Sequence, residues 1–240
     1  MSLDDARDRL YQAYASQQAG PGNGEAAALI YRRDIRPQLP PPGAGPVIDI
    51  GCGSGALVRL LQEDGFDAEG IDISPERAAL AHAAGIAGVR RGDFRTILAA
   101  QPGHYAAITA TDLLEHLTKP EVLAAFDDVA AALAPGGVFV ARVPNAISPL
   151  GGHIRAGDFT HQTSFTARSV RQLAAAAGFA TVAAYSCPPA AHGLASAARV
   201  LVWRVVSAGY RITLAAETGQ LRGHIVTQNL TFAARKARNP

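Results

Sequence analysis

Short apolar runs and helical segments alternate through the middle of the chain, and this alternation limits the fold more than any other feature. It extends from residue 47 to residue 143, with connections of ordinary length. Such alternation is typical of a parallel sheet with helices on both faces, because parallel neighbours need a crossover connection. We expect the last strand, which alternates apolar and polar residues, to lie at a sheet edge. The predicted strands are 47–50, 67–73, 88–94, 105–111, 138–143, 179–186 and 224–236.

The predicted helices lie between and around these strands. Helix 74–85 begins with serine and proline and ends at glycine, which are the residues favoured at helix starts and ends. Helix 119–137 is expected to continue to a Pro-Gly-Gly stop, and residues 144–165 are expected to be irregular. The other predicted helices are 3–18, 24–38, 56–65, 166–177 and 194–216.

The composition is that of a globular domain. The 240 residues include 22 basic and 20 acidic side chains, and 48% are hydrophobic. Without a clustered basic excess, we expect no nucleic-acid partner. Segment 194–216 carries three arginines, which argues against a transmembrane span. Two distant cysteines, Cys52 and Cys187, and an N-terminus without an apolar leader predict a reduced, cytoplasmic protein.

The segment VIDIGCGSG at 47–55 joins the first strand to its helix. A glycine turn there presents backbone N–H groups at a helix N-terminus, where nucleotide-containing ligands commonly bind. Residues 51–56 also fit the dinucleotide pattern G-x-G-x-x-A, with Asp72 as the acid about 20 residues on. Asp49 argues against a dinucleotide, because its carboxylate would repel a pyrophosphate. A positively charged ligand without phosphate, such as S-adenosylmethionine (SAM), suits this loop better.

Five motifs in order resemble those of the class I SAM-dependent methyltransferases. They are DIGCGSG at 49–55, IDIS at 71–74, GDF at 92–94, TDLLEHL at 111–117 and LAPGG at 133–137. The resemblance covers roughly residues 45–235 and implies a Rossmann-like fold with a mostly parallel seven-stranded sheet. It also implies a single domain, made of an N-terminal helical cap (1–44), a SAM-binding core (45–143) and an acceptor-side region (144–240) with a helical insertion at 194–216.

The same resemblance implies the cofactor contacts. Asp72 would hold the two ribose hydroxyls, which a carboxylate does by accepting both protons. Ile73 and Phe94 would sandwich the adenine and Asp93 would accept from its amino group, although Phe94 equally fits a core position. Tyr14 lies on a helix that caps the cofactor in relatives, or it belongs to a core stripe. The remaining predicted cofactor-binding residues are Asp49, Gly51, Gly53, Gly55 and Thr111.

The segment after the fifth strand, 144–179, resembles the O-methyltransferases of bacterial saccharide pathways in its P-N turn, G-D-F-T-H and S-F-T. This implies a sugar or oligosaccharide acceptor, such as a mannoside, and three catalytic candidates, His153, Asp158 and His161. A quinone precursor or other natural product stays open as the acceptor, because TDLLEHL also resembles ubiquinone-pathway enzymes. A non-catalytic SAM-binding module and a dinucleotide-dependent oxidoreductase are further hypotheses, and Asp49 and the later motifs argue against the last.

The motif TDLLEHL contains a candidate metal site. Asp112, Glu115 and His116 stand at i, i+3 and i+4, so they would share one face if a helix starts there. The set resembles the metal site of small-RNA 2′-O-methyltransferases, which implies a magnesium ion and a fourth ligand from His161 or, failing it, His153. Such an ion could orient two acceptor hydroxyls and lower their pKa. Alternatively, Glu115 and His116 only cap and orient the helix.

The long helix predicted at 194–216 carries an apolar stripe formed by Leu201, Val205, Ala208 and Ile212. We expect this helix to pack and also to border the acceptor site or a partner subunit in a homodimer. The alternative is a helix packed only on its own domain.

Overall fold

The computed structural model describes residues 23–189, 194–220 and 222–238, and these build one seven-stranded sheet with helices on both faces. The helix predicted at 3–18 lies outside the described residues. The strands β1 to β7 are Val47–Ile50, Ala68–Asp72, Val89–Arg91, Tyr105–Thr111, Leu133–Pro144, Thr181–Ser186 and Asn229–Arg235.

The helices agree with the predicted ones in most positions. After α1 the chain continues through a π turn, Tyr31–Ile35, and a 3₁₀ turn, Arg36–Gln38. A second short 3₁₀ turn, Leu114–His116, follows β4. The helices α1 to α8 are Asn23–Ile30, Ala56–Glu63, Pro75–Ala83, Phe94–Ala99, Lys119–Ala132, Gly152–Gly157, Ala167–Ala176 and Leu194–Thr218.

The strand order is β3-β2-β1-β4-β5-β7-β6, and β7 alone pairs antiparallel with its neighbours. This confirms the predicted Rossmann-like, mostly parallel sheet. The strand order reverses at β1: strands β2 and β3 lie on one side of it, and β4 and the later strands lie on the other. A crevice forms at the carboxyl edge of the sheet at such a reversal, and ligands bind there in open α/β folds.

The edge position expected for the last strand is wrong. Strand β7 lies between β5 and β6, and only its last residue, Arg235, is exposed. Thr231, which gives the sequence its alternating look, is fully buried. On one face of β7, Phe232 packs in the aromatic core with Phe126 and Phe139. The polar positions of β7 on its other face are also covered by protein rather than by water.

Several other boundaries also differ from the prediction. Helix α5 ends at Ala132, and Leu133 already has extended dihedrals and pairs with Tyr105. Pro135 explains the early end, because a proline disfavours helical conformation in the residue before it, here Ala134. Phe94, predicted in a strand, begins helix α4. The region expected to be irregular contains the short helix α6.

Helix α8 agrees with the predicted long helix and turns an apolar side to solvent. Leu201, Val205 and Ile212 are 63%, 68% and 70% exposed, while Ser207 is buried. The contact with the acceptor site or a partner subunit stays a prediction. Within the described ranges, no helix is both long and apolar enough to cross a bilayer.

We expect the exposed stripe of α8 to be covered in a homodimer. Burying a valine or isoleucine side chain contributes about 1.5–3 kcal/mol, so Val205→Glu should convert the dimer to single chains. Leu80→Glu, at an exposed apolar position on α3, is the matched control and should leave the dimer intact. Light scattering measures the mass, and a single-chain mass for the unaltered protein would contradict the expectation.

Candidate active site

The loop after β1 turns so tightly that glycine is favoured at three of its positions, Gly51, Gly53 and Gly55. Gly51 and Gly55 have φ angles of 68° and 79°, in the left-handed region that other residues enter at a cost. A Cβ atom on Gly51 would lie 2.8 Å from Cδ1 of Leu113, and one on Gly55 would lie 2.9 Å from Cγ2 of Val89. The loop therefore packs its bare backbone against Leu113 after β4 and against Val89 in β3.

Asp72 ends β2 with its carboxylate turned towards this loop. Its Oδ2 accepts a hydrogen bond of 2.8 Å from the Gly53 N–H, and its Oδ1 accepts one of 2.8 Å from the Ser74 N–H. A carboxylate offers about four lone-pair sites, so about two remain for other donors. Two sites are what the predicted contact with the ribose hydroxyls requires, and that contact stays a prediction.

Asp49 is a buried acid directly before the loop, 2% exposed. Its Oδ1 accepts a hydrogen bond of 2.7 Å from Oγ1 of Thr109. Burial raises the pKa of the Asp49 carboxyl to about 7, the charge of Asp72 adds to the rise, and the Thr109 bond opposes it. A cation nearby would favour the ionised carboxylate, because opposite charges lower such a pKa. The ammonium and sulfonium of SAM carry charge of this sign.

The predicted adenine contacts lie beyond β2 and β3. Ile73 is 60% exposed, so its side chain is open to a ligand. Asp93 caps helix α4 by accepting a hydrogen bond of 2.9 Å from the backbone N–H two residues on. Phe94 is half-buried and packs against the larger core, which leaves both of its predicted roles open. Among the described residues, the buried Oγ1 of Thr111 has no hydrogen-bond partner. Tyr14 lies outside the described residues.

Glu115, His116 and His161 form a cluster at the carboxyl end of β4. One potential ligand atom from each lies within 4.8 Å of the others. The first two residues stand on the 3₁₀ turn after β4. The backbone N–H groups of Gln162 and Thr163 donate to the Glu115 carbonyl oxygen at 2.7 and 3.0 Å, and they hold the loop that carries His161 against the turn.

The Glu115 carboxylate is the least satisfied group of the cluster. The residue is 1% exposed, and its Oε2 has no hydrogen-bond partner in the part of the chain that is described. Burial and, secondly, the charge of Asp112 raise the pKa of the Glu115 carboxyl well above its usual range, against a smaller opposing effect of Arg142. A buried carboxylate is normally paired or bonded, so a cation would satisfy this oxygen.

Both imidazoles of the cluster use Nδ1 for hydrogen bonds that lead away from it. His116 Nδ1 lies 2.7 Å from Oγ1 of Thr160, and His161 Nδ1 lies 3.0 Å from the Ile154 carbonyl oxygen. The ring centroids are 4.7 Å apart in an edge-on arrangement. Burial, with the neighbouring His161, lowers the pKa of His116 to about 4. His116 is therefore neutral at neutral pH, as a metal-binding imidazole must be.

Asp112, the first residue of the predicted metal set, is not among the described residues whose ligand atoms meet in the cluster. Its φ angle is 53°, unusual for a residue other than glycine. Its carboxylate is 46% exposed and pairs with the guanidinium of Arg142. The helical turn begins only at Leu114, so the predicted face with i, i+3 and i+4 neighbours does not form. A metal contact from Asp112 stays a prediction that would require this ion pair to open.

The predicted acceptor-side residues lie at different distances from the cluster. His161 joins it, Asp158 is connected to it through Thr160, and His153 lies exposed on α6. Thr160, 6% exposed, is a residue that sequence reasoning missed. It stands in GDFTH between two residues already chosen as candidates, and that position was the available indication.

The glycine loop and the cluster adjoin. Leu113, which contacts Gly51, lies two residues before Glu115. The Nη1 atom of Arg77 would lie 2.8 Å from a Cβ atom on Gly53, and the charge of Arg77 also contributes to the low pKa of His116. A cofactor on the loop would therefore lie beside the groups of the cluster.

A family model for a methyltransferase domain matches residues 20–184, more than half of the 240 residues. The chain belongs to the class I SAM-dependent methyltransferase family. SAM is the cofactor of this family, so the family and the cofactor expected from the five motifs are confirmed.

Some curated proteins that are similar to this chain are O-methyltransferases. A ubiquinone biosynthesis O-methyltransferase of Xylella fastidiosa is 33% identical over 135 residues, which cover 54% of this chain and 54% of that protein. The enzyme of the same name from Xanthomonas campestris pv. campestris is 35% identical over 101 residues, covering 40% and 41%. The chain thus spans about half the length of the curated relatives it matches.

Solved structures of the family share the fold. A SAM-dependent methyltransferase from Archaeoglobus fulgidus has a TM-score of 0.70 at 19% identity, covering 94% of this chain and 99% of that one. A SAM-dependent methyltransferase from Mesorhizobium loti has a TM-score of 0.59 at 22% identity, covering 84% and 95%. Sequence identities this low show a shared fold and do not identify the methyl acceptor.

Proposed function

We propose that the chain is an O-methyltransferase that moves the methyl group of SAM to a hydroxyl of a sugar or oligosaccharide, such as a mannoside, in bacterial polysaccharide or glycoconjugate biosynthesis. One observation supports this above the others. A buried carboxylate and two imidazoles lie next to the cofactor loop. Groups of this kind suit a polar acceptor whose hydroxyl must be oriented and relieved of a proton.

Methyl transfer to oxygen is an in-line displacement. The acceptor oxygen bonds to the methyl carbon while the carbon–sulfur bond breaks, and the sulfonium leaves as a neutral thioether. Because this leaving group is good, much of the catalysis comes from holding the two reactants in line. The hydroxyl proton must still move to a base. His153, the predicted catalytic histidine outside the cluster, is the base that we propose.

The cluster fits a divalent metal ion. Its donor groups are the carboxylate of Glu115 and the imidazoles of His116 and His161. These three residues would hold the ion, and a set of two histidines and one carboxylate leaves coordination positions open. A bound ion would polarise two adjacent acceptor hydroxyls and lower their pKa.

The kind of ion follows from the donor atoms. We predicted magnesium from the sequence, yet magnesium prefers oxygen ligands and binds few side chains directly. Imidazole nitrogen suits transition-metal ions better, and manganese accepts both imidazole and carboxylate. We therefore propose that manganese supports activity at least as well as magnesium.

A quinone precursor is the second candidate acceptor. Curated relatives at 33–35% identity are named ubiquinone biosynthesis O-methyltransferases, and an aromatic ring with two adjacent hydroxyls would present oxygen atoms to the cluster much as a sugar diol does. A third hypothesis, a SAM-binding module without catalysis, predicts cofactor binding and no transfer.

A panel of acceptors tests these three hypotheses. The purified chain is incubated with SAM labelled on its methyl group, manganese, and either methyl mannosides and mannose oligosaccharides or catechol and dihydroxybenzoate. We expect label on a saccharide. Label on the phenols alone would contradict the saccharide proposal and support the second candidate. Calorimetric SAM binding without transfer to any acceptor in the panel would favour the non-catalytic module.

A further inference from the structure

A cavity of about 570 Å³ lies at β6, the outer strand of the sheet. Its walls come from β6, helices α7 and α8, the π turn after α1 and the segment before β7. Among the described residues, none of those that line it belongs to the cluster or to the glycine loop. Small-molecule ligands commonly occupy cavities of roughly 300–1,000 Å³. This cavity is therefore large enough for a ligand of its own.

We propose that the cavity binds the phosphate group of a small phosphate ester through Arg171 and Arg211, with the ring of the ester against Tyr185. The ligand is a sugar phosphate or a nucleotide, since both join a phosphate group to a hydroxylated ring. Binding at this site goes beyond the proposed function, and it is measured without any methyl transfer.

The charges that line the cavity favour an anion. Three arginines line it, and Asp34 is the one acidic residue among the lining residues that the structure describes. The Arg33 guanidinium donates from Nε and Nη2 to the two carboxylate oxygens of Asp34, at 2.7 Å each. Its Nη1 donates to the Pro188 carbonyl oxygen. Arg33 and Asp34 therefore compensate each other, and Arg171 and Arg211 leave two positive charges, to which the lining histidine can only add.

Both of these arginines have unused hydrogen-bond donors. In the described part of the chain, Arg171 has no hydrogen-bond or ion-pair partner. Arg211 makes one long hydrogen bond there, from Nη1 to Oγ of Ser207 at 3.4 Å. A guanidinium carries five N–H donors and binds phosphate oxygens in pairs. Two such groups match a phosphate ester, which carries about 1.5–2 negative charges near neutral pH.

The rest of the cavity suits a ring that carries hydroxyl groups. A phosphate group alone fills only a small part of the cavity volume. Tyr185 is 38% exposed, and a tyrosine side chain offers an apolar body with a polar tip. Gln38 and Ser186 also line the cavity, and their side chains both donate and accept hydrogen bonds. An aromatic surface beside polar groups of this kind fits the ring of a sugar or a nucleoside.

Four variants test the proposal. Arg171→Gln and Arg211→Gln each remove one positive charge from the lining. Arg168→Gln and Arg204→Gln are the matched controls, because these exposed arginines stand on the same two helices and are not among the lining residues. Glutamine and arginine have similar helix propensities, so we expect all four variants to fold.

Calorimetry measures the affinity of each protein for mannose 1-phosphate, uridine monophosphate and mannose, with S-adenosylhomocysteine present to occupy the cofactor site. We expect the unaltered protein to bind at least one of the two phosphate esters, and the tighter one identifies the ring. We expect mannose to bind more weakly by at least about tenfold, and Arg171→Gln and Arg211→Gln each to weaken binding of the ester by about tenfold or more. A hydrogen bond to a charged group contributes at least about a factor of ten in affinity. The control variants should bind like the unaltered protein.

The outcomes separate this proposal from the proposed function. The anion site is overturned if the unaltered protein binds neither ester, or if the control variants lose as much affinity as the other two. Unchanged affinity in Arg171→Gln or in Arg211→Gln also overturns it. If an ester binds as expected while no saccharide is methylated, the anion site stands and the proposed function fails.

Discussion

Glu115→Gln is expected to lose most methyl transfer while SAM affinity stays near its original value. Glutamine keeps the shape of the side chain and removes the charge that would hold a cation. A metal ion contributes several kcal/mol to the stabilisation of a transition state, and each 1.36 kcal/mol is a factor of ten in rate. We therefore expect a loss of about 100-fold or more. EDTA should cause a similar loss in the unaltered protein, and manganese should reverse it.

The stability of the variant separates this effect from misfolding. Burial raises the pKa of Glu115 in the folded protein, so the ionised carboxylate costs folding free energy at any pH above its unfolded pKa. Glu115→Gln should therefore melt no lower than the unaltered protein at neutral pH. Glu121→Gln is the matched control, because Glu121 caps helix α5 by accepting hydrogen bonds from Thr118. This variant should lower the stability of the protein and leave its activity unchanged. Full activity of Glu115→Gln in EDTA would contradict the metal proposal.

Asp72→Asn is expected to weaken SAM binding by at least about tenfold. The Asp72 carboxylate accepts two backbone N–H bonds, and we expect its two remaining acceptor sites to hold the ribose hydroxyls. A hydrogen bond to a charged group contributes about 1.5–3 kcal/mol, and asparagine supplies one acceptor oxygen without charge. Calorimetry with SAM and with S-adenosylhomocysteine should show the same loss, because both carry the ribose.

Glu69→Gln is the control for Asp72. It makes the same change of carboxylate to amide in the same strand, where Glu69 bonds to the Tyr105 hydroxyl at 2.7 Å and to Arg90. We expect unchanged SAM affinity from Glu69→Gln. Equal affinities for Asp72→Asn and the unaltered protein would remove the cofactor assignment of this loop.

Local signals were sufficient for much of the fold and for the cofactor loop. VIDI and YAAITAT are strands with the predicted bounds, because apolar runs bounded by turn residues leave few alternatives. Gly51 and Gly55 do have positive φ angles, as a tight turn at a helix start demands. These features depend on residues close together in the chain, so the sequence displays them directly.

Features that depend on distant packing were predicted less well. The position of β7 inside the sheet depends on which elements cover its two faces, and its alternation alone suggested an edge. Asp112 was placed on a helical face, but the turn starts two residues later and its carboxylate pairs with Arg142. The bond from His116 to Thr160 spans 44 residues, a separation over which a single sequence gives no geometry.

SAM on the glycine loop and a cation in the cluster are expected to face each other across one acceptor site. A crystal structure with S-adenosylhomocysteine and manganese, recorded at a wavelength where manganese scatters anomalously, tests it directly. We predict an anomalous peak bound by Glu115, His116 and His161, with the cofactor sulfur facing it and the ribose on Asp72. Cofactor bound elsewhere, or a cluster without manganese beside a bound cofactor, would contradict the account.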